Sequence, residues 1–246
     1  MGISGKQVAL VTGASRGIGA AIARRLAADG FTVIVNYQGR ADAATQLVDQ
    51  IVKAGGRAMS AQADVSDPEA VKQMFDTAEA AYGGVDVLVN NAGIMKLSPL
   101  AEMDDAAFDK LIAVNLKGTF NTLREAAKRL RDGGRIVNFS SSVVGLYQPA
   151  YGAYAATKAA VEALTCIMAK ELGSRRITVN AVAPGPVATE LFLEGKDQAT
   201  LDRIKQQNPL GRLGEVDDIA RFVSVLVGPG SDWINGQIVR ANGGIV

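Results

Sequence analysis

Short apolar runs alternate with longer helical patterns along nearly the whole chain, and no other feature restricts its fold as tightly. The pattern predicts strands at residues 8–11, 31–35, 57–63, 85–90, 135–140, 177–182 and 237–240. It predicts helices at 18–28, 41–54, 68–82, 151–172 and 216–227, and a long one within 104–131 that has room for a break. Pro68 suits a helix start, where its missing N–H costs nothing. The strand runs are apolar throughout, as expected of strands buried on both faces. Strand and helix in alternation build a parallel sheet covered by helices on both sides. The 246 residues show no linker or repeat, and 48% apolar residues suffice for a single core, so one α/β domain is expected. A doubly wound sheet of this kind binds ligands beyond the carboxyl ends of its strands. The loops after Val11, Val35, Asn90, Ser140 and Val182 are therefore where chemistry should lie.

Composition removes several alternatives. With 26 basic and 25 acidic residues the net charge is +1, so no bulk field exists to hold nucleic acid or an anionic membrane. No apolar stretch reaches the ~18 residues of a membrane span. Residues 1–10 carry no secretory signature, and Lys6 stands where a myristoylation pattern starting at Gly2 needs Ser or Thr. There is no histidine, which excludes His-based triads and His-rich zinc sites; no metal is expected. The single cysteine, Cys166, can form no internal disulfide and is expected to pack within its helix, in keeping with a cytoplasmic protein. Asn138-Phe139-Ser140 matches a glycosylation sequon but falls in a buried strand run and is set aside.

The first strand runs into Thr12-Gly13-Ala14-Ser15-Arg16-Gly17-Ile18-Gly19, and a helix follows. Glycines at 13, 17 and 19 permit a tight turn and close approach of a pyrophosphate. The helix N-terminus adds unpaired N–H groups and a positive dipole end. A plain strand–helix turn also uses glycine, so the motif alone is weak. Its position after a strand and before a helix is the context of a Rossmann-type dinucleotide site. The spacing G-x-x-x-G-x-G resembles the T-G-x-x-x-G-x-G signature of the short-chain dehydrogenase/reductase family. The resemblance continues along nearly the whole chain. Asp64-Val65 is similar to the pair that contacts adenine, and Asn90-Asn91-Ala92-Gly93 to the N-N-A-G stretch after the fourth strand. Asn115 stands where the family carries a helix-borne asparagine. Ser141, Tyr154 and Lys158 match its Ser…Tyr-x-x-x-Lys constellation. Pro184-Gly185-Pro186, with Val187 and Thr189, matches the segment beside the nicotinamide. The resemblance implies a nicotinamide-dependent oxidoreductase with about seven strands. Its cofactor contacts would come from Gly13, Ser15, Arg16, Gly17, Ile18, Gly19, Asp64, Val65, Asn91, Ala92, Gly93, Tyr154, Lys158, Pro184, Gly185, Val187 and Thr189.

Tyr154 and Lys158 are four apart on a helix and project from one face. A free tyrosine, with pKa ~10, is a poor proton catalyst at neutral pH. A nearby ammonium favours the phenolate and is expected to pull that pKa down. A tuned tyrosine can give a proton to a carbonyl oxygen as hydride reaches carbon, or take one in reverse. Without the other motifs, a core tyrosine and a surface lysine would explain the pair as well. Ser141 precedes the tyrosine by thirteen residues, the family's spacing, and is expected to hold the substrate oxygen. Its neighbours Ser140 and Ser142 leave a simple strand-end cap open as an alternative. Asn115 lies within an apolar run and is either a buried amide paired with backbone or, as the resemblance implies, part of a proton relay through the lysine.

NAD-selective crevices usually end the second strand with an acidic residue. Here Asn36 and Tyr37 occupy that place, and Arg16 and Arg40 flank the expected position of a 2′-phosphate. Guanidinium matches phosphate geometry, so NADP is favoured over NAD, with two solvated surface arginines as the plain alternative. Residues 187–213 carry the least pattern and are expected to form a lid. Ile94, Met95, Val143, Leu146, Tyr147, Gln148 and Tyr151 are expected to line the substrate pocket, which points to a small-molecule ketone, aldehyde or hydrophobic alcohol. The chain is similar to NADPH-dependent carbonyl reductases and to 3-oxoacyl-[acyl-carrier-protein] reductases. For the latter, Lys128, Arg129, Arg131, Arg175 and Arg176 are the available basic residues near the crevice, with Asp132 counting against carrier docking. A non-catalytic dinucleotide sensor would share the fold but usually lacks the Tyr–Lys pair. The resemblance also implies a homotetramer or homodimer, assembled through the helices after the fourth and fifth strands and the C-terminal strand.

Overall fold

The computed structural model describes residues 7–246; Gly2, Lys6 and most of the N-terminal reading lie outside them. The elements run β1 (Val8–Val11), α1 (Gly17–Ala28), β2 (Thr32–Tyr37), α2 (Ala41–Lys53), β3 (Arg57–Gln62), α3 (Pro68–Tyr82) and β4 (Val87–Asn90). They continue through α4 (Asp105–Leu111), a π turn (Ile112–Lys117), α5 (Gly118–Arg129), β5 (Arg135–Phe139), α6 (Val143–Leu146), α7 (Gly152–Glu171) and β6 (Thr178–Pro184). Then come α8 (Glu190–Leu193), α9 (Gln198–Gln207), α10 (Val216–Val227) and β7 (Ile238–Ala241). The strands form one parallel sheet in the order β3-β2-β1-β4-β5-β6-β7. The order reverses between β1 and β4, and that reversal opens a crevice at the carboxyl ends.

Alternation along each strand divides the core in two. Val11, Val33, Val35 and Val89 pack under α1, α2 and α10. Leu10, Ile34, Leu88 and Ile136 pack on the other face, under α3, α5 and α7. This is the doubly wound arrangement the apolar strand runs predict. Local signals set several helix ends. Asp67 accepts from Glu69 N at the start of α3, Pro68 takes the first helical position, and Gly83 closes the helix at φ 74°. Among the described residues no helix is long and apolar enough to cross a membrane.

The structure departs from expectation in three places. β2 continues two residues beyond Val35, and Asn36 pairs in register with Ala61. Asparagine disfavours strands, but here its buried amide donates to Ala61 O and Ala63 O. The expected break in the 104–131 helix is a π turn centred on the Asn115 region rather than a gap. Residues 187–213 hold two short helices, α8 and α9.

The basic cluster is a correction. Arg131 binds Asp86 at 2.8 Å, just before β4, and Arg175 binds Asp132 at 2.8 Å, before β5. Arg129 is held by Asp76 and Glu79, both at 2.6 Å. These residues sit at the amino ends of the strands, away from the crevice, and their guanidinium groups are engaged internally.

Candidate active site

A cavity of about 510 Å³ opens over the carboxyl ends of the strands. The cofactor-site residues singled out from the sequence line it, with Ser141, Tyr154 and Lys158; Asn115 does not. Its phosphate end is built on glycine. Gly13 has φ +60°, and a Cβ there would lie 2.9 Å from Ala92 Cα; a Cβ on Gly19 would lie 2.5 Å from Asn91 Nδ2. Thr12 ties the loop to its neighbour. Its Oγ1 accepts from the N–H groups of Asn91 and Ala92 and donates to Val89 O. Asn91 Nδ2 returns bonds to Thr12 O and Gly13 O. Arg16, the residue before α1, provides no side-chain cap for that helix. The first-turn N–H groups thus remain available to an anion, and the close backbone approach that glycine allows fits a pyrophosphate.

The nucleoside end is held by side chains that face the protein. Asn36 Oδ1 accepts from Gly13 N at 3.1 Å, so its amide staples the loop to β2 and β3. Asp64 accepts from Ser66 N, Ser66 Oγ and Gln38 Nε2. Two contributors were not singled out from the sequence. A Cβ on Gly118 would lie 2.7 Å from Val65 Cγ2, and Asn121 Nδ2 donates to Val65 O. Small and polar residues on the buried face of α5 were the available signal. At the crevice mouth, Arg16 and Arg40 both donate to Glu190 Oε2, at 2.8 and 3.2 Å.

The chemical end brings Ser141, Tyr154 and Lys158 together. Ser140 Oγ donates to Glu162 and Ser142 Oγ to Ala183 O, whereas Ser141 Oγ accepts from Val143 N at 3.4 Å and lies near enough to Tyr154 to lower its pKa. Lys158 Nζ lies 5.7 Å from the Tyr154 ring centroid and donates to Phe139 O at 2.9 Å. The expected downward pull on the tyrosine is overturned in the polypeptide itself. Burial pushes Tyr154 up to about 12, against a smaller lowering by Ser141, and draws Lys158 down to about 8. Lys158 is buried and Tyr154 half-buried, and desolvation disfavours whichever form is charged. Asn115 is fully buried behind the cavity. Its Oδ1 accepts from Ile94 N and its Nδ2 donates to Ile94 O and Thr157 Oγ1. A Cβ on Gly93 would come within 3.3 Å of Asn115 Oδ1 and 3.6 Å of Lys158 Nζ, so that glycine keeps the space between them open.

On the substrate side, Ile94, Met95, Val143, Leu146, Gln148 and Tyr151 line the cavity. Tyr147 does not; it is 84% exposed, with φ 48°, and turns outward. Leu191, Phe192, Ile204 and Gln207 arrive from α8 and α9, and Ile245 from the C-terminal end. Ile245 carries no local sequence signal, since only the long-range return of β7 brings it there. Cys166 is partly buried on α7, with its Sγ 3.6 Å from Gly236 O.

A glycine-lined phosphate cradle and a Tyr–Lys pair at the switch point of a parallel sheet define a dinucleotide-dependent oxidoreductase scaffold. Comparison with known proteins makes the class specific. A family model described as enoyl-(acyl carrier protein) reductase matches residues 13–246. A short-chain type dehydrogenase/reductase of Picea abies is 46% identical over 252 residues, covering 98% of this chain and 93% of that protein. An NADPH-dependent aldehyde reductase-like protein, chloroplastic, of Arabidopsis thaliana is 45% identical over 254 residues, covering 98% and 94%. The structure of a short chain dehydrogenase from Burkholderia cenocepacia in complex with NADP matches with a TM-score of 0.92, at 39% identity and 97% coverage of each chain. The chain belongs to the short-chain dehydrogenase/reductase family of NAD(P)-dependent oxidoreductases.

Proposed function

We propose that this chain is an NADP(H)-dependent carbonyl reductase, reversible to alcohol oxidation, with Tyr154 as general acid and base. The observation that carries the reading is the half-buried Tyr154 set beside Ser141 and Lys158 at the end of the crevice. The glycine loop and the first turn of α1 would hold the pyrophosphate, Asp64 and Val65 would flank the adenine, and Pro184 to Thr189 would border the nicotinamide. Bound there, the cofactor supplies the hydride for reduction or accepts it in oxidation.

A tyrosine held near 12 is protonated at neutral pH, which is the state a general acid needs. Ser141 positions the carbonyl oxygen against that phenol. As the proton leaves, Lys158, with a pKa of about 8 and mostly charged at pH 7, stabilises the phenolate that develops. Asn115 holds Ile94 and the space beside Lys158, through which the phenolate is reprotonated from solvent. In oxidation the same groups run in reverse.

NADP is preferred over NAD because β2 ends on Asn36 and Tyr37 with no carboxylate, while two arginines stand at the mouth. The NADP complex and the NADPH-dependent relative described above support this. Residues 187–213 act as a lid, and the apolar wall of Leu191, Phe192 and Ile204 suits an uncharged ketone or aldehyde. The exposed Phe120, Ile167 and Trp233, on α5, α7 and the approach to β7, support assembly into a homodimer or homotetramer, which light scattering tests. Steady-state rates on a panel of ketones and alcohols with NADPH and NADP test the whole reading. Tyr154→Phe should lower kcat by about 10²–10⁴ with the fold intact; unchanged turnover would remove the mechanism. A carrier-linked reductase is the second reading, favoured by the description of the matching family model. Faster turnover of a 3-oxoacyl carrier substrate than of free ketones would establish it.

A further inference from the structure

We propose that Glu190 is a resident carboxylate ligand of Arg16 and Arg40 that the 2′-phosphate of the cofactor must displace, making Glu190 a determinant of cofactor selectivity. The proposal rests on the NADP reading and adds a residue to it. Arg16 and Arg40 precede α1 and α2, on one side of the crevice; Glu190 opens α8 on the other. The contacts span 174 and 150 residues of sequence. Both guanidinium groups converge on one oxygen, Oε2, at 2.8 and 3.2 Å. Two arginines on a single anionic oxygen is the geometry by which a phosphate oxygen is taken. The arginines in turn hold the Glu190 carboxyl below the usual carboxylate range, so it is ionised at neutral pH and competes as an anion.

All three side chains are about half exposed or more, at 46%, 55% and 66%. An ion pair so open to water is weak, and a phosphate with more charge and more acceptor oxygens outcompetes it. A ligand without that phosphate leaves Glu190 where it is. The next residues of α8, Leu191 and Phe192, line the substrate side of the cavity. Displacing Glu190 therefore frees the element that carries the substrate wall, and links the cofactor's phosphate to the lid.

The test is calorimetric titration of the full chain with adenosine 2′,5′-bisphosphate and with 5′-AMP. Wild type should bind the bisphosphate more tightly than AMP. Glu190→Gln should tighten the bisphosphate about two- to fivefold, the span an exposed ion pair allows, and leave AMP unchanged. A merely structural role of Glu190 in α8 would move both ligands together. If wild type prefers the bisphosphate but Glu190→Gln leaves its affinity unchanged or weaker, the competitor role is wrong and the NADP reading stands. If wild type shows no preference for the bisphosphate, the NADP reading fails and takes this proposal with it.

Discussion

Replacing Lys158 with methionine should abolish activity and stabilise the protein. Lys158 is enclosed in the core, and burial draws its pKa from 10.5 to about 8. A difference of about 2.5 pH units at about 1.4 kcal/mol each sets the cost of carrying the charge at about 3 kcal/mol. Methionine keeps most of the aliphatic stem and removes that cost. It also leaves Phe139 O without the Nζ donor, a loss of about 1 kcal/mol. The net gain at pH 7 is about 2 kcal/mol, or about 4–8 °C in Tm for a chain of this size. The pH dependence has a fixed sign. Between about pH 8 and 10.5 the unfolded chain holds a proton that the folded chain does not, so wild-type stability rises with pH. Below about pH 8 the full cost is present. Urea titrations of both proteins from pH 7 to 10 should therefore show a gap that is widest at pH 7 and narrows towards pH 10. A variant less stable than wild type at pH 7, or a gap that stays constant, would refute the argument that burial dominates at this lysine.

Other consequences follow from the same geometry. The rate of carbonyl reduction should be level below about pH 8 and fall above it as Lys158 loses its proton; a profile flat to pH 10 at saturating NADPH would contradict the charge assigned to it. Gly19→Ala places a Cβ 2.5 Å from Asn91 Nδ2, so the loop must open. Overpacking of that kind costs about 1–3 kcal/mol, and thermal melts should show it together with weakened nucleotide binding. Removing Arg16 and Arg40 together should lower kcat/KM for NADPH at least about tenfold and leave NADH nearly unchanged, since charge-assisted bonds to phosphate are lost. Equal losses for both cofactors would place the phosphate elsewhere.

The fold was legible because its signals are local. Each strand is an apolar run, and helix ends carry their own marks, such as Asp67-Pro68 and Gly83 around α3. The crevice was legible because a parallel sheet with this alternation has one switch point. What escaped depends on contacts between distant segments. Glu190 meets Arg16 across 174 residues, and Ile245 reaches the cavity only through the return of β7. Tyr147 was misread because sequence proximity to Tyr151 says nothing about direction, and its backbone at φ 48° turns it outward. The tyrosine pKa was misread for a related reason. A four-residue spacing shows that Lys158 is near Tyr154 but not how deeply both are buried, and burial decides the balance.

Burial also sets what the polar residues around the crevice do. Asn36 binds Gly13, Ala61 and Ala63; Asn91 binds Thr12 and Gly13; Asn115 binds Ile94; Asn121 binds Val65 and Ser66. Each amide offers both a donor and an acceptor, so it can clamp a strand end or a loop. With the side chains occupied in this way, the loops that border the crevice are tied to one another and to the strand ends. A further buried chain, Thr122 to Asn90 to Asn138 to Thr165, fastens α5, β4, β5 and α7 behind Ser141 and Lys158. Buried polar groups that are fully paired in this fashion fix a single arrangement. The site's precision therefore comes in part from amides paired within the protein. Substituting one of them should raise KM and lower kcat together, whereas loss of Tyr154 should act on kcat alone.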